Sequence, residues 1–283
     1  MTFDELKERI DFEAVAKAVL GGLDKFPEGE FEDAKRIVWA LCENYLARDV
    51  REFALEEPEQ KLLITGLPNQ TAPIKGYLDL HGHLRGTCKP FVAYAGEAFV
   101  LDWKTTGGSL DTQWKNRLMD SWQWRIYAHM TGAAMAIYRG VNREEETREV
   151  IIEVPQTNSA EVREYCEGGL GMRGALVQAG LTVWPRVMKK HSCEAFGREC
   201  PFWDDCRDYT MPRQSLPDKE MSFTQFERFF LCPEFHRRLI LEPEADGGEE
   251  SFFGTAVHRG MAEVYRQARS WGNGETREET END

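Results

Sequence analysis

An aspartate and a lysine stand two residues apart in the segment VLDWKTT. In a β-strand, residues i and i+2 share a face, so Asp102 and Lys104 point the same way while Trp103 points into packing on the other side. The carboxylate suits a Mg²⁺ or Mn²⁺ ion, which polarises a phosphate and activates water. The lysine ammonium suits the orientation of that water or the stabilisation of developing charge. An isolated Asp-x-Lys pair is also the pattern of an ordinary surface salt bridge.

A second carboxylate precedes this pair in the short strand pattern KGYLDLHG. Asp79 lies between Leu78 and Leu80, whose side chains should face the opposite side of the strand. This carboxylate is the expected second metal ligand, and the alternative is an aspartate that caps a turn. Downstream, Gln123 and Tyr127 are four residues apart in a predicted helix, so they share one helix face and both can form hydrogen bonds.

Taken in chain order, these patterns resemble the RecB-like nucleases of the PD-(D/E)XK type. The matching motifs are Gly-x-x-Asp ending at Asp79, Asp-x-Lys-Thr-Thr beginning at Asp102, and Gln-x-x-x-Tyr beginning at Gln123. The resemblance implies an α/β, restriction-endonuclease-like fold with a mixed central sheet flanked by helices. It also implies that Asp79 and Asp102 bind Mg²⁺ or Mn²⁺, that Lys104 is the catalytic lysine, and that Gln123 and Tyr127 line the site.

Two further motifs of this family stand at the other end of the chain from their usual place. In most relatives, a Ser-x-x-x-Phe…Cys-Pro helix and a Gly-x-x-x-His helix come first, whereas here they are SFTQFERFFLCP and GTAVH. The resemblance implies that His258 contributes to the metal site. Either the chain is a circular permutant with one composite site, which we favour, or residues 221–283 begin a second nuclease module whose remainder is absent.

Four of the seven cysteines cluster in the C-terminal part of the chain: Cys193, Cys200, Cys206 and Cys232. The odd number of cysteines and the lack of an export signal argue against a disulfide framework. The resemblance implies that these four thiolates hold a 4Fe–4S cluster. Their spacing departs from the tight Cys-x-x-Cys pair of some relatives, so structural zinc is the first alternative and four unrelated cysteines the second.

Periodicity and breaker residues divide the chain into four ranges. We predict an N-terminal helical region over 1–52, a nuclease core with a Cys-rich end over 53–210, a linker with the displaced helices over 211–270, and a polar tail over 271–283. Within the core, we predict several strands over 53–104, one helix over LMDSWQWRIYAHMTG, two strands at AMAIYRGV and REVIIEV, and a glycine-interrupted helix over about 159–180.

The chain carries a net charge of −14, which argues against a broad basic face for coating DNA but not against a nuclease with local basic groups. No apolar run is long enough to span a membrane and the first residues are acidic, so we expect no membrane partner and a cytoplasmic location in a bacterial or phage-infected cell. Trp122 is a candidate for stacking on single-stranded bases. Two basic groups, Arg186 with Lys189 and Lys190, and Arg237 with Arg238, are candidates for binding phosphates, and the equal alternative for both is a solvated helix end.

The function implied by the resemblance is metal-dependent hydrolysis of DNA, by an exonuclease acting on ends or single strands. Such an enzyme belongs to DNA repair, recombination or phage DNA processing, with recombination or replication proteins as partners. A site-specific endonuclease is the nearest alternative. A catalytically inactive DNA-binding accessory module and a zinc-stabilised interaction protein are the alternatives from other classes.

Overall fold

The structure is a computed structural model that describes residues 2–21, 28–65, 73–181, 200, 202, 221–222, 229, 232–241 and 250–272. The chain forms two compact units. The first comprises Met1–Gln60, Tyr77–Gln156 and Glu249–Asp283, and the second comprises Lys61–Gly76 and Thr157–Gly248. The boundaries of these units differ from those of the four sequence ranges, because the C-terminal helix belongs to the same unit as the N-terminal helices and the main sheet.

The described helices follow the chain in nine segments. They are α1 (Phe3–Lys7), α2 (Phe12–Leu20), α3 (Glu28–Leu41), α4 (Ala47–Glu52), α5 (Thr112–Asp120), α6 (Trp122–Thr131), α7 (Asn158–Gln178), α8 (Pro233–Leu241) and α9 (Glu250–Gly272). The described strands are β1 (Phe53–Leu55), β2 (Gln60–Ile64), β3 (Ile74–Leu78), β4 (Leu80–Leu84), β5 (Ala98–Thr106), β6 (Met135–Asn142), β7 (Thr147–Glu153) and β8 (Met221–Ser222).

The first unit is built on a five-stranded mixed sheet with the order β1-β4-β5-β6-β7. Strands β5 and β6 are parallel and the other neighbours are antiparallel. The parallel pair needs a crossover, which α5 and α6 supply. The register places Asp102 beside Tyr138, Trp103 beside Arg139 and Lys104 beside Gly140. The chain therefore has a mixed α/β architecture with a sheet flanked by helices, as the sequence predicts at this coarse level.

Helices cover one face of this sheet with a continuous apolar core. Helix α9 packs against α2 and α3, and its residues Val257, Met261 and Tyr265 are fully buried with Trp103 of the sheet. The approach is close at Gly260, where an added Cβ would lie 2.7 Å from a methyl group of Val38. A side chain at that position would force the helices apart, so glycine sets their spacing.

Two local predictions are corrected by the helix boundaries. The helix predicted over residues 118–132 is two helices, because Ser121 ends α5 with extended backbone and caps α6 through its hydroxyl. The helix predicted to be interrupted by Gly168, Gly169 and Gly171 runs unbroken as α7. Glycine lowers helix propensity by only about 1 kcal/mol, so the packing of neighbouring residues outweighs three of them.

The second unit contains most of the three-stranded sheet β2-β3-β8, in which β3 and β8 are parallel. The first residue of β2 and the last two residues of β3 belong to the first unit. The second unit also contains α7 and α8. A small cluster forms around the buried residues Phe229 and Ile240, with Leu176 and Val177 of α7 packed against it. Across the parts of the chain that the structure describes, no helix is both long and apolar enough to cross a membrane.

Candidate active site

Asp79 occupies a bend between β3 and β4, where the strand direction changes. Its neighbours Leu78 and Leu80 are buried in the apolar interior, as the alternating pattern predicts. The backbone N–H of Trp103 donates a hydrogen bond of 2.7 Å to Asp79 Oδ2. The carboxylate is 7% exposed. Asp79 is thus held at the sheet by the residue that separates Asp102 from Lys104.

Asp102 and Lys104 share a face of β5, and Gln123 of α6 joins them. Lys104 Nζ lies 2.5 Å from Asp102 Oδ2 and donates to Gln123 Oε1 at 2.9 Å. Gln123 Nε2 donates to Asp102 Oδ1 at 3.0 Å. The amide therefore turns its oxygen to the ammonium and its nitrogen to the carboxylate, which is the orientation that satisfies both charges.

Tyr127 lies one turn further along α6 and completes this polar row. Gln123 Nε2 lies 3.4 Å from Tyr127 Oη, at the long end of a hydrogen bond. Burial raises the pKa of Tyr127, and Asp102 raises it further, so the hydroxyl remains protonated. The side chain is buried at 5% exposure. Tyr127 therefore lies beside Gln123 on the same face of α6.

His258 of α9 lies at the same place, although it follows Asp102 by 156 residues in the chain. His258 Nδ1 is 3.1 Å from Asp79 Oδ1. Burial lowers the pKa of His258, but Asp79 outweighs that effect and leaves the pKa raised above its ordinary value. The displaced Gly-x-x-x-His helix and the Asp and Asp-x-Lys motifs are therefore brought together in one compact unit.

Asp102 is buried near the Asp79 carboxylate. Burial raises the pKa of Asp102 to about 6, with Asp79 adding to the rise while Lys104 opposes it. Asp102 Oδ2 is buried and faces the Lys104 ammonium at 2.5 Å, so this cation compensates the charge that burial takes out of water.

The two carboxylates suit a hard divalent cation. Mg²⁺ and Mn²⁺ prefer carboxylate, carbonyl and water oxygens, whereas imidazole is more typical of zinc, copper, iron and nickel. Within the described parts of the chain, no three His, Cys, Asp or Glu side chains form a ready-made metal site. A Mg²⁺ ion needs only one or two protein carboxylates and keeps waters or substrate oxygens in its other positions. Asp79 and Asp102 together supply that number of carboxylates.

The sequence motifs do not predict the contributions of two residues at this centre. Tyr138 lies beside Asp102 in the sheet register, and Lys104 Nζ is 5.7 Å from the centre of its ring. Trp103 was expected to pack and is fully buried, but its backbone N–H also positions Asp79. The sequence could have suggested Tyr138 only if the pairing of β5 with β6 had been known in advance.

The predicted nucleic-acid contacts have different outcomes. Trp122 is half-buried at the start of α6, and the guanidinium of Arg125 lies 5.4 Å from its ring centre. Lys189 and Lys190 lie outside the described residues. Arg237 is fully buried, so the prediction that it grips phosphate on the surface is wrong. Its position within α8 turns it into the interior of the second unit.

The predicted iron–sulfur ligands are only partly described. Cys193 and Cys206 lie outside the described residues. Cys200 and Cys232 are both half-buried. The metal cluster therefore stays a prediction from the sequence. By contrast, Cys42 and Cys166 are buried in apolar surroundings, and burial raises the pKa of the Cys166 thiol to about 12.

Comparison with known proteins identifies no relative of this chain. No protein-family model matches it, and no curated protein matches it. Among solved structures, it is similar to the "Crystal structure of SSO0001", with 14% sequence identity over 59% of this chain and 86% of that chain and a TM-score of 0.30. A similarity with so low a TM-score supports no argument about fold or function.

Proposed function

We propose that this chain is a metal-dependent deoxyribonuclease of the PD-(D/E)XK type, with an active centre formed by Asp79, Asp102, Lys104 and Gln123. One observation supports it above the others. An acid–lysine pair on one strand face, a second buried acid and a bridging glutamine converge from three separate segments, in the order of the family motifs. A surface salt bridge, the alternative for Asp102 and Lys104, does not require a second buried carboxylate beside it.

Each side chain has a distinct task in this proposal. Asp79 and Asp102 would hold the metal, with His258 supporting Asp79 from α9. Mg²⁺ or Mn²⁺ would supply Lewis-acid activation of the phosphate and of water. The Lys104 ammonium beside Asp102 would orient the attacking water and offset the charge that develops on the phosphate. Gln123 keeps Lys104 and Asp102 in one geometry.

Exonuclease activity on ends or single strands belongs to this proposal through the sequence resemblance, as do the 4Fe–4S cluster, DNA as partner and a role in repair, recombination or phage DNA processing. Trp122 is the stacking residue that we assign to single-stranded DNA, because it is half-buried on the helix that carries Gln123. A cytoplasmic location accords with this function.

The deciding experiment is cleavage of end-labelled single- and double-stranded linear DNA in Mg²⁺, in Mn²⁺ and in EDTA. Asp102→Asn and Lys104→Ala are the test variants, and Lys115→Ala is the matched control because Lys115 lies on α5 outside the polar row. Protein prepared without oxygen and with iron protects any cluster. Thermal unfolding of each variant verifies that it is folded.

We expect metal-dependent cutting by the wild type and by Lys115→Ala, and its loss in both site variants. The position of the first labelled products gives the polarity. Failure of the iron-loaded wild type to cut either substrate would refute the proposal for this chain alone. Equal cutting by folded Lys104→Ala protein would refute the assigned site even if a nuclease activity exists.

A further inference from the structure

A cluster of charged and polar side chains is buried inside the first unit, away from the candidate site's carboxylates. Arg139 of β6 donates to Asp49 of α4 through both terminal nitrogens, with Nη2 to Oδ1 at 2.6 Å. The Tyr265 hydroxyl of α9 accepts from Arg139 Nη1 at 2.9 Å and donates to Asp49 Oδ2. All three side chains are fully buried. We refer to them as the Asp49 cluster.

The hydrogen bonds of this cluster have fixed directions. Arg139 can only donate and Asp49 can only accept, so the tyrosine hydroxyl must do both. Burial raises the pKa of Tyr265, and Asp49 raises it further, so the hydroxyl keeps its proton. Glu149 of β7 accepts from Arg139 Nε at 3.0 Å. The Asp49 cluster and Glu149 together tie α4, β6, β7 and α9 to one arrangement.

The Asp49 cluster lies next to the residues that shape the candidate site. Tyr265 and His258 are seven residues apart on α9, which places them two turns apart on the same helix face. Both rings contact Trp103, with centroid distances of 5.3 Å for Tyr265 and 6.3 Å for His258. Trp103 is also in register with Arg139. Trp103 therefore contacts both Tyr265, a member of the cluster, and His258.

We infer that the Asp49 cluster is a positioning device: it fixes the rotation of α9 through Tyr265 and thereby places His258 against Asp79. This inference rests on the proposed function for its consequence in metal binding, but its geometric content stands apart from it. Tyr265 is a positioning residue and not a catalytic one, since it touches Trp103, Arg139 and Asp49 but none of the reacting groups.

Stability alone does not account for the cluster. A buried ion pair gains little over apolar residues of similar volume, because removing both charges from water costs about as much as their attraction returns. Apolar packing would hold α9 against the sheet but would tolerate small rotations. A hydroxyl that must meet both a carboxylate and a guanidinium permits one rotation only. The charged cluster therefore adds one preferred rotation of α9, which apolar packing alone does not provide.

The test compares two single-hydroxyl deletions around Arg139. Tyr265→Phe removes the bond to α9 and leaves both Arg139–Asp49 bonds in place. Tyr45→Phe is the matched control, because the ring of Tyr45 also lies against Arg139, at 4.4 Å, while its hydroxyl bonds Thr147. The first measurement is the ¹H–¹³C NMR signal of the His258 ring at one pH. The chain has six histidines, so His258→Gln identifies that signal by its disappearance.

We expect the His258 ring signals to move in Tyr265→Phe and to stay in place in Tyr45→Phe. In a second measurement, the dissociation constant for Mn²⁺ is expected to rise about tenfold in Tyr265→Phe, because His258 then leaves its place beside Asp79 and losing such a partner of a metal ligand costs about tenfold or more. The double variant with His258→Gln should bind Mn²⁺ no more weakly than His258→Gln alone. A purely structural role would move neither the NMR signal nor the affinity of the folded protein.

Unchanged His258 signals in folded Tyr265→Phe would overturn the inference, whatever the nuclease assay gives. Additive losses of Mn²⁺ affinity in the double variant would overturn it as well. A wild type that neither binds Mn²⁺ nor cuts DNA would refute the proposed function, and the NMR comparison would still decide the positioning role. Should Tyr265→Phe fail to fold, Asp49→Asn provides the same NMR test, because it changes the acceptor of the Tyr265 hydroxyl and leaves every ring beside His258 in place.

Discussion

At the scale of single residues, the candidate site contains a buried carboxyl group whose ionisation is unfavourable. Asp102 is buried beside Asp79, and its pKa is raised to about 6. A carboxyl whose pKa is raised by folding stabilises the fold below its unfolded value and loses that contribution as the pH rises through the folded value. In the metal-free protein, ionised Asp102 therefore opposes folding at neutral pH.

We predict that Asp102→Asn is more stable than the wild type in EDTA at pH 7. The difference should grow between about pH 4 and pH 7 and reach on the order of 3 kcal/mol, as follows from a pKa raised from 3.8 to about 6. Urea unfolding at several pH values measures it. Asp111→Asn is the control with opposite sign, because the backbone N–H of Trp114 lowers the Asp111 pKa. A stability difference for Asp102→Asn that does not change with pH would contradict the prediction.

Gln123 offers a second prediction at this scale. Its amide bonds both the Lys104 ammonium and the Asp102 carboxylate, and bonds to charged groups contribute more than neutral ones. We expect Gln123→Ala to lower the DNA cleavage rate about tenfold to a hundredfold. The exposed Gln113→Ala should cut at the wild-type rate. Equal rates for both folded variants would show that the bridge has no part in cleavage.

At the scale of elements, α9 links the candidate site to the helical layer of the first unit. It carries His258 on one side and the glycine that meets α2 and α3 on another. An added Cβ at Gly260 would lie 2.7 Å from Val38 and 2.8 Å from Val19. By contrast, Gly168 is exposed on α7 with nothing within 4 Å of an added Cβ.

The two glycines should therefore respond in opposite ways to alanine. Gly168→Ala should stabilise α7 by about 0.5 to 1 kcal/mol, through helix propensity. Gly260→Ala gains the same propensity but forces α9 away from both valines, so we expect a net loss of about 1 to 2 kcal/mol. Hydrogen exchange of amides in each helix measures both changes in place. Stabilisation by both substitutions would mean that α9 is not closely packed at Gly260.

At the scale of the whole molecule, the predicted metal cluster depends on four cysteines, Cys193, Cys200, Cys206 and Cys232, binding one metal centre together. We expect protein purified without oxygen to contain iron and sulfide and to show visible absorption, because four thiolates suit a 4Fe–4S cluster. Cys232→Ser should lose the iron, and Cys88→Ser, outside the predicted set, should retain it. Zinc in place of iron would favour the structural zinc alternative, and metal-free wild type would indicate unrelated cysteines.

The motifs at Asp79, Asp102 and Gln123, and the helix–strand–helix–strand order of the first 153 residues, could be predicted from the sequence because each depends on local spacing. Strand alternation puts Asp102 and Lys104 on one face, and helical spacing puts Gln123 and Tyr127 on another, whatever the rest of the chain does. The split of α5 from α6 at Ser121 and the burial of Arg237 were not predicted, because both depend on what surrounds the segment.

Only the tertiary structure decides which distant residues meet. The 3.1 Å approach of His258 to Asp79, across 179 positions, requires α9 to pack on the sheet beside the N-terminal helices. The Asp49 cluster and Glu149 likewise join four elements that no sequence pattern connects. Local residue types determine the chemistry that a side chain offers, since spacing within one strand or helix is fixed by backbone geometry. Long-range packing determines the partners, because burial and hydrogen-bond direction act only after the chain has closed on itself.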